Sequence, residues 1–149
     1  MEKITVVPFE NDLHRTPVMA LWTALLGNNS PHNQPAMTID KKLAMKDGLL
    51  FVALVNNTVV GTVMAGYDGH RGWIYSLAVD AAWQRRGIGS QLVIHAERAL
   101  AAKGCVKINL QIGDGNERVA KFYLSLGYAI EKRLSMGKRV PENITASNS

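Results

Sequence analysis

Leu77-Ala78-Val79-Asp80-Ala81-Ala82-Trp83-Gln84-Arg85-Arg86-Gly87-Ile88-Gly89-Ser90-Gln91-Leu92 leaves an apolar strand, crosses a basic turn and enters a helix. A helix start leaves its first backbone N–H groups unpaired and carries about half a positive charge. Glycines at 87 and 89 strip side-chain bulk from that start, so those N–H groups can approach a pyrophosphate closely. Gln84 opens the turn, and Arg85 and Arg86 add mobile positive charge suited to phosphate oxygens. A short Gly-x-Gly is also what a plain strand-to-helix connection uses, so its neighbours must decide. Two other phosphate loops do not fit. There is no Gly-x-x-x-x-Gly-Lys-Ser/Thr, and Leu92 stands where a dinucleotide fingerprint needs its third glycine.

Outward from this turn, strand-like and helix-like segments alternate with no internal repeat, which predicts an α/β or α+β domain with a mixed sheet. Upstream, Met1 to Pro8 reads as a short strand. Thr16 is a natural N-cap with Pro17 at the first helical position, and Val18, Leu21, Trp22, Leu25 and Leu26 mark one apolar face before Gly27. Asn28 to Pro35 reads as an exposed loop, and a shorter helix runs from a Thr38 cap to Lys46. Leu49–Val55 and Thr58–Tyr67 form a hairpin through Asn56-Asn57, since asparagine tolerates the positive φ of a two-residue turn. Asp68-Gly69-His70-Arg71-Gly72 turns the chain into a fourth strand, Trp73 to Val79.

Downstream, the helix after the turn buries Leu92, Val93, Ala96, Ala99 and Leu100 and stops at Gly104. Val106 to Ile112 reads as a fifth strand. Asn116 caps a last helix with Val119, Phe122, Tyr123 and Leu126 on its apolar face, and about Ala129 to Arg139 reads as a final extended segment. Residues 1–140 are expected to form one domain, with a polar, flexible tail over 141–149.

With 149 residues, 47% of them hydrophobic and 19% charged, the chain is long enough to bury a core. Cys105 is a single cysteine and packs as a small apolar side chain in a reducing compartment. No apolar run or leader-like block argues for a membrane, so a cytoplasmic location is expected. The net charge of +5 suits a small polyanion, whereas the densest cluster outside the turn, Glu131-Lys132-Arg133, is too thin for a nucleic-acid stripe. His14 and His95 fit surface positions, and no histidine or cysteine spacing suggests a metal site.

The Leu77–Leu92 stretch closely resembles the central motif of the GCN5-related N-acetyltransferase (GNAT) superfamily, Gln/Arg-x-x-Gly-x-Gly/Ala after a strand ending apolar-x-Val. A second stretch, Asn116-Glu117-Arg118-Val119-Ala120-Lys121-Phe122-Tyr123-Leu124-Ser125-Leu126-Gly127-Tyr128, resembles the family's asparagine followed by Ala-x-x-Phe-Tyr-x-x-x-Gly-Phe/Tyr. The resemblance implies a mostly antiparallel twisted sheet flanked by four helices, whose fourth and fifth strands splay around a bulge. It implies acetyl-CoA as acyl donor, no metal, and an amine acceptor: a small metabolite, peptide or protein. Leu77, Ala78 and Val79 would run beside the pantetheine arm, pairing through the backbone of Leu77 and Val79; Gln84 to Ser90 would hold the pyrophosphate, and Asn116 would bond the arm from the other side. A backbone N–H near Val79 would polarise the thioester carbonyl. Tyr123 matches the tyrosine proposed to protonate the departing thiolate, although its place on an apolar helix face also suits packing with a satisfied hydroxyl.

Neutralising a lysine-like amine near pH 7 costs roughly 4–5 kcal/mol, so a base is of use. Relatives place a glutamate on the fourth or the fifth strand; here Trp73, Tyr75, Ser76 and Gln111 offer no carboxylate. Asp68 and His70 are the remaining candidates, acting directly or through water; equally, they shape their turn. The short stretch after Gly127 leaves the acceptor side open or completed by a second subunit, a homodimer being common in such enzymes. The loop from Asn28 to Met37, with a solvent-exposed His32, would form the opposite wall. Two rivals stand beside catalysis: a non-catalytic acyl-CoA-binding regulatory module, and a nucleic-acid-binding module using the positive charge.

Overall fold

Runs rich in β-branched residues and broken by left-handed turns build the sheet. The computed structural model describes residues 2–27 and 34–141. Met1–Gln111 forms one compact unit and Ile112–Ser149 another.

In the first unit, β1 (Ile4–Pro8), β2 (Leu50–Val55), β3 (Thr58–Tyr67), β4 (Gly72–Val79) and β5 (Ile108–Asn109) lie side by side in chain order. The first four are antiparallel and β5 runs parallel to β4. The β2–β3 turn works as the sequence predicts, with Asn56 and Asn57 at φ 50 and 65. Two helices, α1 (Asn11–Leu25) and α2 (Pro35–Met45), cover one face through Val18, Leu21, Trp22 and Ile39, packed on Leu50, Val52, Met64 and Ala78. The helix α3 (Ile88–Ala102) covers the other through Ile88, Leu92, Ala96 and Leu100, packed on Phe51, Ala53, Val63, Ala65 and Ile74. Alternation along β2 sorts its residues between the two cores.

Five expectations shift. The first helix starts five residues before Thr16, at Asn11, and carries Pro17 in its interior. No side chain caps its N-terminus; the Glu10 N–H donates to Nδ1 of His14, which is buried at 6% exposure and not on the surface. The second helix starts at Pro35, not after Thr38, using proline at the first turn. The fifth strand shrinks to Ile108–Asn109, and Val106 is 93% exposed. His95 is half-buried, edge-on to Phe51 with ring centroids 4.6 Å apart.

In the second unit, α4 (Glu117–Ser125) starts where the sequence predicts, with the Asn116 side chain accepting from the Val119 N–H. The segment after it takes no strand pairing up to residue 141. Ile130, Leu134 and Met136 do alternate, but they stay exposed and Lys132 and Lys138 interrupt their face. Residues 28–33, with His32, and the tail 142–149 lie outside the described residues.

Candidate active site

The sheet opens at one point. β5 pairs with β4 only at Gly72↔Ile108 and Trp73↔Asn109. From Ile74 to Val79, β4 keeps β3 on one side and has no strand on the other within residues 1–111.

The same stretch carries a bulge. Thr62 pairs with Ala78 and Met64 with Tyr75, so β4 has one residue more than β3 across this interval. Ser76 takes up the excess in the left-handed conformation, at φ 51. The consequence can be read from two hydrogen bonds. The Gly72 N–H donates to the Lys107 carbonyl at 2.8 Å, toward β5, while the Asp80 N–H donates to the Val60 carbonyl at 2.8 Å, toward β3. Successive peptide groups of a strand face alternate edges, so two even-numbered residues of an unbroken strand would face the same one. The bulge reverses the count. Beyond it, Leu77 and Val79 turn their peptide groups to the bare edge, and Ala78 is buried against the α1–α2 core.

The chain then runs directly into the glycine turn. Asp80 accepts from the Ala82 N–H at 2.9 Å and stiffens a single 3-10 turn, Ala81–Trp83. Gln84 folds back, its Nε2 donating to the Val79 carbonyl at 3.1 Å. Arg85 and Gly87 both take positive φ, 65 and 79, immediately before α3 begins. Gly87 is the N-cap and supplies no side-chain bond to the helix start; Gln91 donates back to its carbonyl, so Ile88, Gly89 and Ser90 are the first-turn amides. Ile88 is buried and anchors the turn, whereas Gln84 to Gly87 are exposed. The Arg86 guanidinium stacks 4.6 Å from the Trp83 ring centroid, an arrangement the sequence had not suggested.

Asp68 and His70 lie in the turn between β3 and β4. They precede Gly72 at the start of β4, and at about 3.3 Å per residue Leu77 lies roughly 16 Å further along the strand. Asp68 Oδ1 accepts from the N–H groups of His70 and Arg71, both at 2.8 Å. The Arg71 and His70 amides hold its carboxyl below the usual carboxylate range. The geometry is that of a turn-shaping aspartate. Tyr75, next to the bulge and half-exposed, has its phenol pushed up by burial and by the charge of Asp68.

In the second unit, Asn116 spends Oδ1 on its cap. Tyr123 is 6% exposed and packs edge-on with Phe122 and Tyr128, at centroid distances of 5.0 and 5.4 Å. Burial pushes its phenol up to about 12. Among the described residues, no three His, Cys, Asp or Glu side chains gather in a metal-binding group, and no helix is long and apolar enough to cross a membrane.

An acetyltransferase (GNAT) family model matches residues 17–128, and the chain belongs to that family. It is thus an enzyme of the acetyl-CoA-dependent N-acetyltransferase class. Solved structures share its fold. An aminoglycoside N-acetyltransferase in complex with CoA is 17% identical, with 93% of this chain and 96% of that one covered and a TM-score of 0.76. An aminoglycoside acetyltransferase from an uncultured soil metagenomic sample, in complex with trehalose, is 26% identical over 95% and 97% of the two chains, with a TM-score of 0.72. Glucosamine-6-phosphate N-acetyltransferase from Arabidopsis thaliana is 18% identical over 94% and 100%, with a TM-score of 0.70.

Proposed function

We propose that the chain transfers the acetyl group of acetyl-CoA directly to a primary amine of a small metabolite, a peptide or a protein. One observation carries this reading. The bare edge of β4 at Leu77 and Val79 leads within ten residues to a glycine helix start with no side-chain cap. An extended amide-bearing arm adds to the first as a strand would, and a pyrophosphate meets the second.

The pantetheine arm lies along Leu77, Ala78 and Val79, with Gln84 beside the Val79 carbonyl. The amides of Arg86, Gly87, Ile88, Gly89 and Ser90 hold the pyrophosphate, and Arg85 and Arg86 balance its charge. Because the Asn116 cap uses Oδ1, a contact to the arm falls to Nδ2. The amine nitrogen attacks the thioester carbonyl carbon while a β4 N–H stabilises the oxyanion; the C–S bond breaks and the sulfur leaves as thiolate. Tyr123, protonated at neutral pH, donates its hydroxyl proton to that sulfur and is reprotonated from solvent. The proton shed by the amine passes to solvent.

The range of acceptors named for the similar structures, aminoglycosides and glucosamine-6-phosphate among them, supports donor chemistry shared over variable acceptor loops. Titration of the purified chain with acetyl-CoA tests the donor site: saturable heat is expected, and its absence overturns the reading. Free-thiol release across a panel of amines then separates transfer from mere binding. A chain that binds acetyl-CoA but releases thiol with no amine would be a binding module.

A further inference from the structure

Thr62 interrupts the apolar run Val59-Val60-Gly61-Thr62-Val63, yet it is fully buried. Its hydroxyl is doubly engaged. Trp22 of α1 donates its indole N–H to Thr62 Oγ1 at 2.8 Å, and Thr62 Oγ1 donates to the Ser76 carbonyl at 2.9 Å. An indole N–H can only donate, so it fixes the threonine oxygen as acceptor and sends the lone hydroxyl proton to Ser76. Ser76 is the residue held at φ 51, a conformation that a non-glycine residue keeps only when its surroundings over-determine it.

We infer that Thr62, braced by Trp22, is a positioning residue for the donor site: its hydroxyl holds the β4 bulge and thereby sets which peptide groups face the bare edge. The inference rests on the reading of β4 as the strand that receives the donor arm. Without the tether, Ser76 relaxes toward extended geometry and the register slips by one residue. Leu77 and Val79 then turn their peptide groups toward β3, and Ala78 turns its own to the edge in their place. Trp22 suits the bracing role because it is itself immobile, 3% exposed in the same core as Val18, Leu21 and Ala78. The helix start at Gly87 is anchored separately, by Ile88 buried in the α3 core. The relay therefore acts on the arm more than on the phosphates.

That separation supplies the test. Wild type, Thr62→Val, Thr62→Ser and Trp22→Phe are titrated calorimetrically with acetyl-CoA and, separately, with 3′-phosphoadenosine 5′-diphosphate, the nucleotide half of the donor without its arm. Thr62→Val keeps the shape and loses the hydroxyl; it is expected to weaken acetyl-CoA about tenfold while leaving the nucleotide half within about twofold. Thr62→Ser restores wild-type binding of both. Trp22→Phe keeps the hydroxyl but frees its rotation, and shows a smaller, equally selective loss; it carries the test if Thr62→Val does not fold. A loss equal for both ligands, or no loss in either variant, overturns the inference. A wild type that binds neither ligand overturns the donor reading itself, a result distinct from any pattern among the variants.

Discussion

Gly61 lies so close to Ala78 across the β3–β4 ladder that a methyl group on its Cα would stand 3.0 Å from the Ala78 carbonyl oxygen. The same methyl would sit 3.0 Å from Leu92 Cδ1 and 3.4 Å from Ile88 Cγ2. Gly61→Ala must therefore push β4 or α3 outward, and overpacking of this kind costs about 1–3 kcal/mol. Thermal or urea unfolding will show the loss. Acetyl-CoA binding is expected to weaken as well, because the displaced backbone is the stretch that ends the bare edge.

Gly87 presents the opposite case. Nothing stands within 4 Å of where its Cβ would be, but φ is 79. Gly87→Ala meets strain and not collision, at about 1–2 kcal/mol. Gly87→Asn should recover part of that stability, since asparagine visits this conformation more readily. Unfolding curves of the two variants will separate these causes.

Tyr123→Phe is expected to lower kcat by about 10²–10⁴-fold, the usual range for losing a positioned proton donor, while the dissociation constant for acetyl-CoA changes little. Unchanged turnover would return Tyr123 to a packing role. Its phenol, raised by burial from 10 to about 12, also predicts a pH effect on stability. Burial favours the protonated form, so this contribution is whole below pH 10 and is lost as pH climbs toward 12. Alkaline melts of wild type should fall across that window, and those of Tyr123→Phe should fall less.

Asp68→Asn and His70→Ala are expected to leave the pH–rate profile in place, since both residues sit in the turn before β4 and Asp68 accepts from the amides of that turn. Asp68→Asn instead loosens its turn. The wild-type carboxylate has a lowered pKa, so its contribution to stability is present above the ordinary carboxylate range and lost as pH falls below it. Acid-range melts of the two chains should converge at low pH.

His95 titrates with a comparable sign. Burial, and then the charge of Arg98, push its imidazole down. The neutral ring that packs on Phe51 is favoured above pH 6.5, and stability should decline as pH falls below that. His95→Phe is expected to flatten the decline between pH 7 and 5.

What was legible in the sequence was what a residue type dictates locally. Asn56-Asn57 announced its turn because few side chains accept positive φ twice in succession, and Gln84 to Gly89 announced theirs through glycine and charge. The start of α1 was hidden because Pro17 imitates a first-turn proline while the true start has no side-chain cap, only a bond from the Glu10 N–H to the His14 ring that has no sequence signature. The bulge was implied by the family resemblance, but Ser76 itself gave no local sign, for a serine rarely adopts that conformation unaided. Its support comes from Thr62, fourteen residues away, and Trp22, forty residues further. Such a chain of partners exists only after folding. The one clue was a hydroxyl at an inward-facing position of an apolar strand. The final extended segment was misread because alternating apolar residues describe a strand's pattern without supplying a neighbour to pair with.

The edge of β4 between Ile74 and Val79, which no strand of residues 1–111 pairs with, also bears on how the protein behaves in concentrated solution. An uncovered edge is a template on which other chains can build intermolecular β-structure. A ligand that occupies it shields the backbone and draws molecules away from sticky, partly opened forms. Preparations loaded with acetyl-CoA should accordingly scatter less light on storage than empty ones, so the substrate doubles as the enzyme's own guard against clumping.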